Sequence, residues 1–281
     1  MIESMQVLLQ DAQQGKYAVG AFNIGNKDIF EAVLRASHEQ NIPAIIAVSV
    51  PELEYLGDDF MAYVLKQMQT SASRLALHLD HGKSMAEIKR AIKLGFNSVM
   101  IDASHLPFEA NIERTKEVVA YAKEHGVAVE GELGTIGSTA SSSCIAGTDS
   151  QIIYTDPEDA AIFSRETGVD ALAVAIGTSH GLYPKGIAPH LKLDLLGQLV
   201  HKVTIPLVLH GGSGNQPQEL RHAAHHGIAK INISSEVKSA YFQALRKHLQ
   251  EYPDDVKTQS VFGDPCRAAQ AVITEKMILF V

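Results

Sequence analysis

Tryptophan is absent from the chain and cysteine nearly so: Cys144 and Cys266 stand far apart, outside any C-x-x-C pattern. Two such residues exclude a disulfide framework and a thiolate zinc site, and they fit a reducing, cytoplasmic setting. No apolar run approaches the length of a membrane span. The opening stretch "MIESMQVLLQDAQQGKY" mixes acidic and amide residues with short apolar clusters, which reads as an amphipathic helix and not as a signal peptide. No basic stripe occurs. Formal net charge is −8 with both signs interspersed, which speaks against nucleic acid as a partner and requires any anionic substrate to find a local site. No linker or low-complexity tract divides the chain.

What is there is a long, core-forming sequence. At 281 residues and 46% hydrophobic content, it has the size of one α/β barrel, so residues 1–281 are expected to form a single domain. Short apolar runs alternate with amphipathic stretches throughout, the rhythm of parallel strands joined by helices. The strands read "YAVGAFN", "PAIIAVS", "RLALHLD", "NSVMID", "VAVEGEL", "DALAVAIG", "PLVLHG" and "IAKINIS". Eight strands close a barrel, and a (β/α)8 TIM barrel is the predicted fold. Gly95, Gly126, Gly168 and Gly227 follow helical patterns where a left-handed cap favours glycine. One loop, near 134–155, is rich in Gly, Ser and Thr with little periodicity, and reads as a mobile lid or, equally by composition, as a tolerated surface insertion.

In such barrels the chemistry stands where strands pass into the following loops. The eight exits here are all polar: Asn23, Ser49, Asp80 with His81, Asp102, Glu132, His180, His210, and Asn232 with Ser234. A catalytic zinc takes three protein ligands and keeps one position open, and His81, His180 and His210 supply three imidazoles. His78 lies one layer lower on its strand and is assigned a structural role. The chain has 13 histidines, and others, such as His222, His225 and His226 in "RHAAHHG", read as solvated helix surface. The last two exits differ in kind. "HGGSG" offers backbone N–H groups and the Ser213 hydroxyl, and "NISSE" leads into a helix N-terminus, a combination suited to phosphate.

The runs "LDHG", "EGELG", "AVAIGTSHGLY", "PLVLHGGSG" and "KINISSE", in this order and across nearly the whole chain, resemble the class II, metal-dependent ketose-phosphate aldolases. The similarity is greatest to the branch with tagatose-bisphosphate and fructose-bisphosphate aldolases. The resemblance implies one Zn2+ held by His81, His180 and His210, with Glu132 and Asp102 at an alternative metal position. It also implies that Asp80 handles the proton of the hydroxyl beside the carbon–carbon bond, with the metal as electron sink. Dihydroxyacetone phosphate is then expected on Gly181, Gly211, Gly212, Ser213, Asn232, Ile233, Ser234 and Ser235, with Lys185 nearby. Asn23 and Ser49 complete the substrate-binding set. A monovalent cation, Na+ or K+, often accompanies this phosphate, and family members are commonly homodimers or homotetramers.

The sequence departs from the family pattern twice. Relatives carry a lid-loop glutamate that moves protons, whereas residues 137–150 contain no glutamate and a single acid, Asp149. Bisphosphate-cleaving relatives carry a "DPR" stretch whose arginine reaches the far phosphate, and "KTQ", Lys257 to Gln259, aligns there. The expected reaction is zinc-dependent, reversible aldol cleavage of a ketose 1-phosphate or a ketose 1,6-bisphosphate to dihydroxyacetone phosphate and an aldehyde, and the missing arginine favours a 1-phosphate whose aldehyde half is polar but not necessarily phosphorylated. Three alternatives stay open at this point: a Schiff-base aldolase using Lys230, a metal-dependent sugar-phosphate isomerase or epimerase, and a degenerate barrel that only binds sugar phosphates.

Overall fold

The computed structural model describes residues 2–138, 152–181 and 189–281. Its centre is a closed barrel of eight parallel strands, each expected from the sequence: β1 Val19–Asn23, β2 Ala44–Ser49, β3 Leu75–Gly82, β4 Ser98–Ile101, β5 Ala128–Leu133, β6 Ala171–Val174, β7 Leu207–Leu209 and β8 Ile228–Ile233. Neighbours in sequence are neighbours in space, and β8 closes on β1 with Ala21 opposite Asn232. The chain thus forms a (β/α)8 TIM barrel.

Side-chain alternation sorts the strand residues into two sets. Phe22, Ile46, Leu77, Leu79, Leu172 and Leu209 join the core beneath the surrounding helices. Ala21, Ala47, Ala76, Ala173 and Val208 belong to the barrel interior, where helix α1 (Met5–Gly15) inserts Met5, Leu8, Leu9 and Ala12 as a plug. Each large apolar side chain of that plug contributes about 1.5–3 kcal/mol by leaving water. The interior strand residues are small for a reason: the fully buried side chains of His78, Glu130 and Lys230 take up the middle of the barrel.

Two irregularities interrupt the alternation, and both aim polar groups inward. Pairing of β3 with β4 shifts register between Leu79 and Gly82, and within that interval His81 adopts φ 53°. The bulge lets consecutive residues, Asp80 and His81, face the same rim. Pairing of β8 with β7 shifts between Ile228 and Lys230, so that Ala229 and Lys230 both serve the interior while Ile228 and Ile231 pack outward.

The outer layer includes α2 (Lys27–Gln40), α3 (Val50–Leu56), α4 (Asp58–Thr70), α5 (Met85–Lys93), α6 (Phe108–Glu124), α7 (Pro157–Thr167), α8 (Leu193–Lys202), α9 (Pro217–His225), α10 (Ser235–Glu251) and α11 (Thr258–Phe280). Among the described residues, no helix is long and apolar enough to cross a membrane. The expected lid lies largely outside the described residues. Its first part, Gly137–Ser138, pairs in parallel with Ser179–His180, which brings the segment leaving β5 to the rim that bears His180.

Candidate active site

Asp80 stands at the end of β3 with both carboxylate oxygens engaged. Asn23 donates its amide to Oδ2 at 2.8 Å and Asn232 donates to Oδ1 at 3.0 Å. The nearest imidazole nitrogens, His81 Nε2 and His210 Nδ1, each lie 3.9 Å from Oδ1. Burial opposes charge on this carboxyl, but His81, His210 and Lys230 outweigh it and hold Asp80 well below the usual carboxylate range. It is an ionised, fixed acceptor at neutral pH.

The three histidines singled out by the sequence converge beside it. Their ligand nitrogens all lie within 4.8 Å of one another, and the ring centroids of His81 and His210 are 4.6 Å apart. A carboxylate orients each of two rings. His81 Nδ1 is 3.2 Å from Asp102 Oδ2, and His210 Nε2 is 2.7 Å from Glu130 Oε1. Ionised carboxylates only accept, so each ring carries a proton on that nitrogen, and in the neutral rings His81 Nε2 and His210 Nδ1 are left as lone-pair donors. Both atoms are buried and have no hydrogen-bond partner among the described residues. Two buried, partnerless imidazole nitrogens aimed at one point, with a third histidine in reach, fit a metal ion well. Burial, reinforced by its histidine neighbours, lowers His180 to about 3. Burial also lowers His210 against the pull of Glu130. Burial disfavours charge on His81 too, but Asp80 and Asp102 raise it well above its ordinary value, so proton and metal compete for Nε2.

A second group, His81 with Asp102 and Glu132, also brings its ligand atoms within 4.8 Å of one another. Burial and the Asp102 charge push the Glu132 carboxyl well up, and its Oε2 is buried without a partner among the described residues. Because His81 belongs to both groups, the two positions draw on one imidazole.

Glu130 was not among the residues picked from the sequence, although it sits two positions before Glu132 and period-two spacing puts both on one strand face. Burial works against its charge, but Lys230 and the histidines hold it well below the carboxylate range. Lys230 Nζ is 2.7 Å from Glu130 Oε2 and 3.4 Å from His78 Nε2, and His78 Nδ1 meets Ser98 Oγ at 2.9 Å. Lys230 is thus tied to a carboxylate below the rim and fully buried, an arrangement that does not suit a Schiff-base nucleophile. His78 is structural, as expected, and His222 and His226 stack on each other at the surface of α9.

The glycine-rich turn after β7 approaches its surroundings too closely for side chains. A Cβ on Gly211, which has φ +64°, would lie 2.6 Å from Ser179 O, and one on Gly212 would lie 2.8 Å from Asn232 O. Ser213 Oγ accepts from the N–H groups of Ser234 and Glu236, both at 3.3 Å, which ties this turn to the N-terminus of α10. Ile233 points its side chain into the outer core. The pocket over the histidines is lined by Asn23, Ser49, Asp80, His180, Gly181, His210, Gly211, Ser213, Asn232, Ser234, Ser235 and, unforeseen, Lys238. Lys185 and Asp149 fall outside the described residues. Gln259 is elsewhere: with Asp28, Arg35 and Phe262 it lines a groove between α2 and α11.

The sequence pattern of the family described as fructose-bisphosphate aldolase class-II matches residues 3–281. The chain belongs to this family. It is an enzyme, a class II aldolase that acts as a carbon–carbon lyase, and the family is generally metal-dependent. The crystal structure of the YdjI aldolase from Escherichia coli K12 is similar over 100% of this chain and 97% of that one, with 33% sequence identity and a TM-score of 0.87. A fructose-bisphosphate aldolase (Fba) from Campylobacter jejuni, at 22% identity, shares the fold: it covers 98% of this chain and 93% of its own with a TM-score of 0.78.

Proposed function

We propose that this aldolase reversibly cleaves a ketose 1-phosphate to dihydroxyacetone phosphate and an uncharged, hydroxylated aldehyde, using one zinc ion. The observation that carries the reading is the pair of buried, partnerless nitrogens, His81 Nε2 and His210 Nδ1, beside an ionised Asp80. His81, His180 and His210 would hold the ion, and three neutral imidazoles favour zinc over harder cations. Bound there, it supplies the electron sink that breaking a carbon–carbon bond requires.

The remaining steps belong to the chain's own residues. Asp80 accepts the proton of the substrate hydroxyl next to the scissile bond in cleavage and returns it in condensation. Asn23 and Asn232 keep its carboxylate in place, ionised before substrate arrives. Gly181, the Gly211–Ser213 turn and Ser234 with Ser235 receive the phosphate of the dihydroxyacetone half, where absent side chains allow backbone N–H groups to approach an anion. His81 serves the principal metal position, and Asp102 with Glu132 offers the alternative one.

The reading is tested by incubating the zinc-loaded protein with dihydroxyacetone phosphate and a panel of aldehydes. Condensation to ketose 1-phosphates supports it. Loss of dihydroxyacetone phosphate without a new carbon–carbon bond contradicts it.

A further inference from the structure

The pocket runs past consecutive strand exits, from Gly181 after β6, through the Gly211–Ser213 turn and Ser234, to Asn23 and then Ser49 at the end of β2. The phosphate cradle occupies the β7–β8 part of this arc. Lys238 starts there too, in the first turns of α10, but its ammonium is anchored on the other side, hydrogen-bonded to Glu52 Oε1 on α3. The crossing passes beside Gly25, where a Cβ would make ordinary contact with Glu52 Oε1 at 3.5 Å and with Lys238 Cε at 3.9 Å. The second Glu52 oxygen accepts from Ser49 Oγ at 3.0 Å and from Ser49 N at 3.3 Å. Ser49, Glu52 and Lys238 thus form one hydrogen-bonded wall at the end of the pocket away from the cradle.

The charge of that wall decides what it accepts. An ammonium has three donors, and with one on Glu52 the others remain for substrate oxygens. The Ser49 proton is committed to Glu52, so its oxygen is left to accept from a substrate hydroxyl. Lys238 and Glu52 cancel as a pair, with side chains only 19% and 13% exposed. No arginine is among the described residues lining the pocket. A hydroxyl group finds both a donor and an acceptor here. A phosphate dianion finds one cation and, beside it, a carboxylate that repels it.

We infer that the Lys238–Glu52 pair, with Ser49, is the specificity determinant for the aldehyde half, selecting an uncharged hydroxylated chain end over a phosphorylated one. This rests on the aldolase reading above, and the test separates the two. Hexitol 1-phosphate and hexitol 1,6-bisphosphate lack the carbonyl and bind without being cleaved, so calorimetry on the zinc-loaded protein reads the wall whatever turnover shows. Cleavage of ketose 1-phosphates by the unmodified enzyme tests the reading itself.

Glu52→Gln retains a side-chain acceptor for the helix cap, as glutamine serves equally at that position of a capping box, and frees the ammonium. The expected result is a rise of about tenfold in bisphosphate affinity relative to monophosphate, the scale of one charge-assisted hydrogen bond. Adding Lys238→Met to that variant should abolish the gain. An unchanged affinity ratio in Glu52→Gln overturns the inference. So does Lys238→Met weakening dihydroxyacetone phosphate as much as the hexitol phosphates, because that result would assign Lys238 to the near phosphate.

Discussion

Asp80 combines features that separate a proton acceptor from a metal ligand: both oxygens accept side-chain amides, and its closest imidazole nitrogens are 3.9 Å away. Asp80→Asn keeps the shape but removes the basicity. It should retain zinc and lose about two to four orders of magnitude in kcat, the range for a positioned acid or base; metal analysis alongside turnover checks this, and loss of zinc would make Asp80 a support for the ion. Glu130 acts one step further from the chemistry. Glu130→Gln weakens the acceptor that fixes the His210 tautomer and leaves Lys230 buried without its counter-charge. Metal affinity should fall about 10–100-fold, and stability by about 3–5 kcal/mol. Adding Lys230→Met should recover much of the stability but not the affinity, which thermal unfolding and metal titration read separately. The candidate histidines stood out in the sequence because each follows an apolar run. Glu130 did not, because its role appears only when the barrel sets β5 beside the His210 and Lys230 side chains.

At the scale of elements, the strands were legible and their irregularities were not. Short, nearly continuous apolar runs set between amphipathic stretches mark β1 to β8 without knowledge of their partners, since strands of a parallel barrel are buried on both faces. The bulges on β3 and β8 depend on pairing across strands. Adjacent Asp80 and His81 hinted at one, for a regular strand would send them to opposite faces. Lys238 and Glu52 were hidden for a related reason: helices α10 and α3 are distant in sequence and meet only because β8 closes on β1, next to β2. The turn after β7 yields a direct test. Gly211→Ala places a methyl group in a left-handed backbone and 2.6 Å from Ser179 O, a strain of about 1–3 kcal/mol. Relief requires the turn to move, so the KM for dihydroxyacetone phosphate should rise much more than the KM for the aldehyde. Equal increases would mean that this turn does not hold the phosphate.

For the whole molecule, the family is settled by a match over residues 3–281, and the barrel gathers histidines from three different strand exits around one point. Its two ends have different chemistry, a turn of glycines and hydroxyls on one side and a neutralised Lys238–Glu52 wall on the other. This asymmetry gives physical content to the absence of a "DPR" arginine, which the sequence showed only as Gln259 and which the fold places in a different groove. The account as a whole depends on an ion at the histidines. The most direct measurement follows cleavage of a ketose 1-phosphate, with release of dihydroxyacetone phosphate as the readout, by protein stripped with a chelator and then titrated with Zn2+. Activity should vanish on stripping and return in proportion to zinc up to one ion per chain, and His210→Ala should prevent the recovery. Full turnover by the stripped protein would contradict the account.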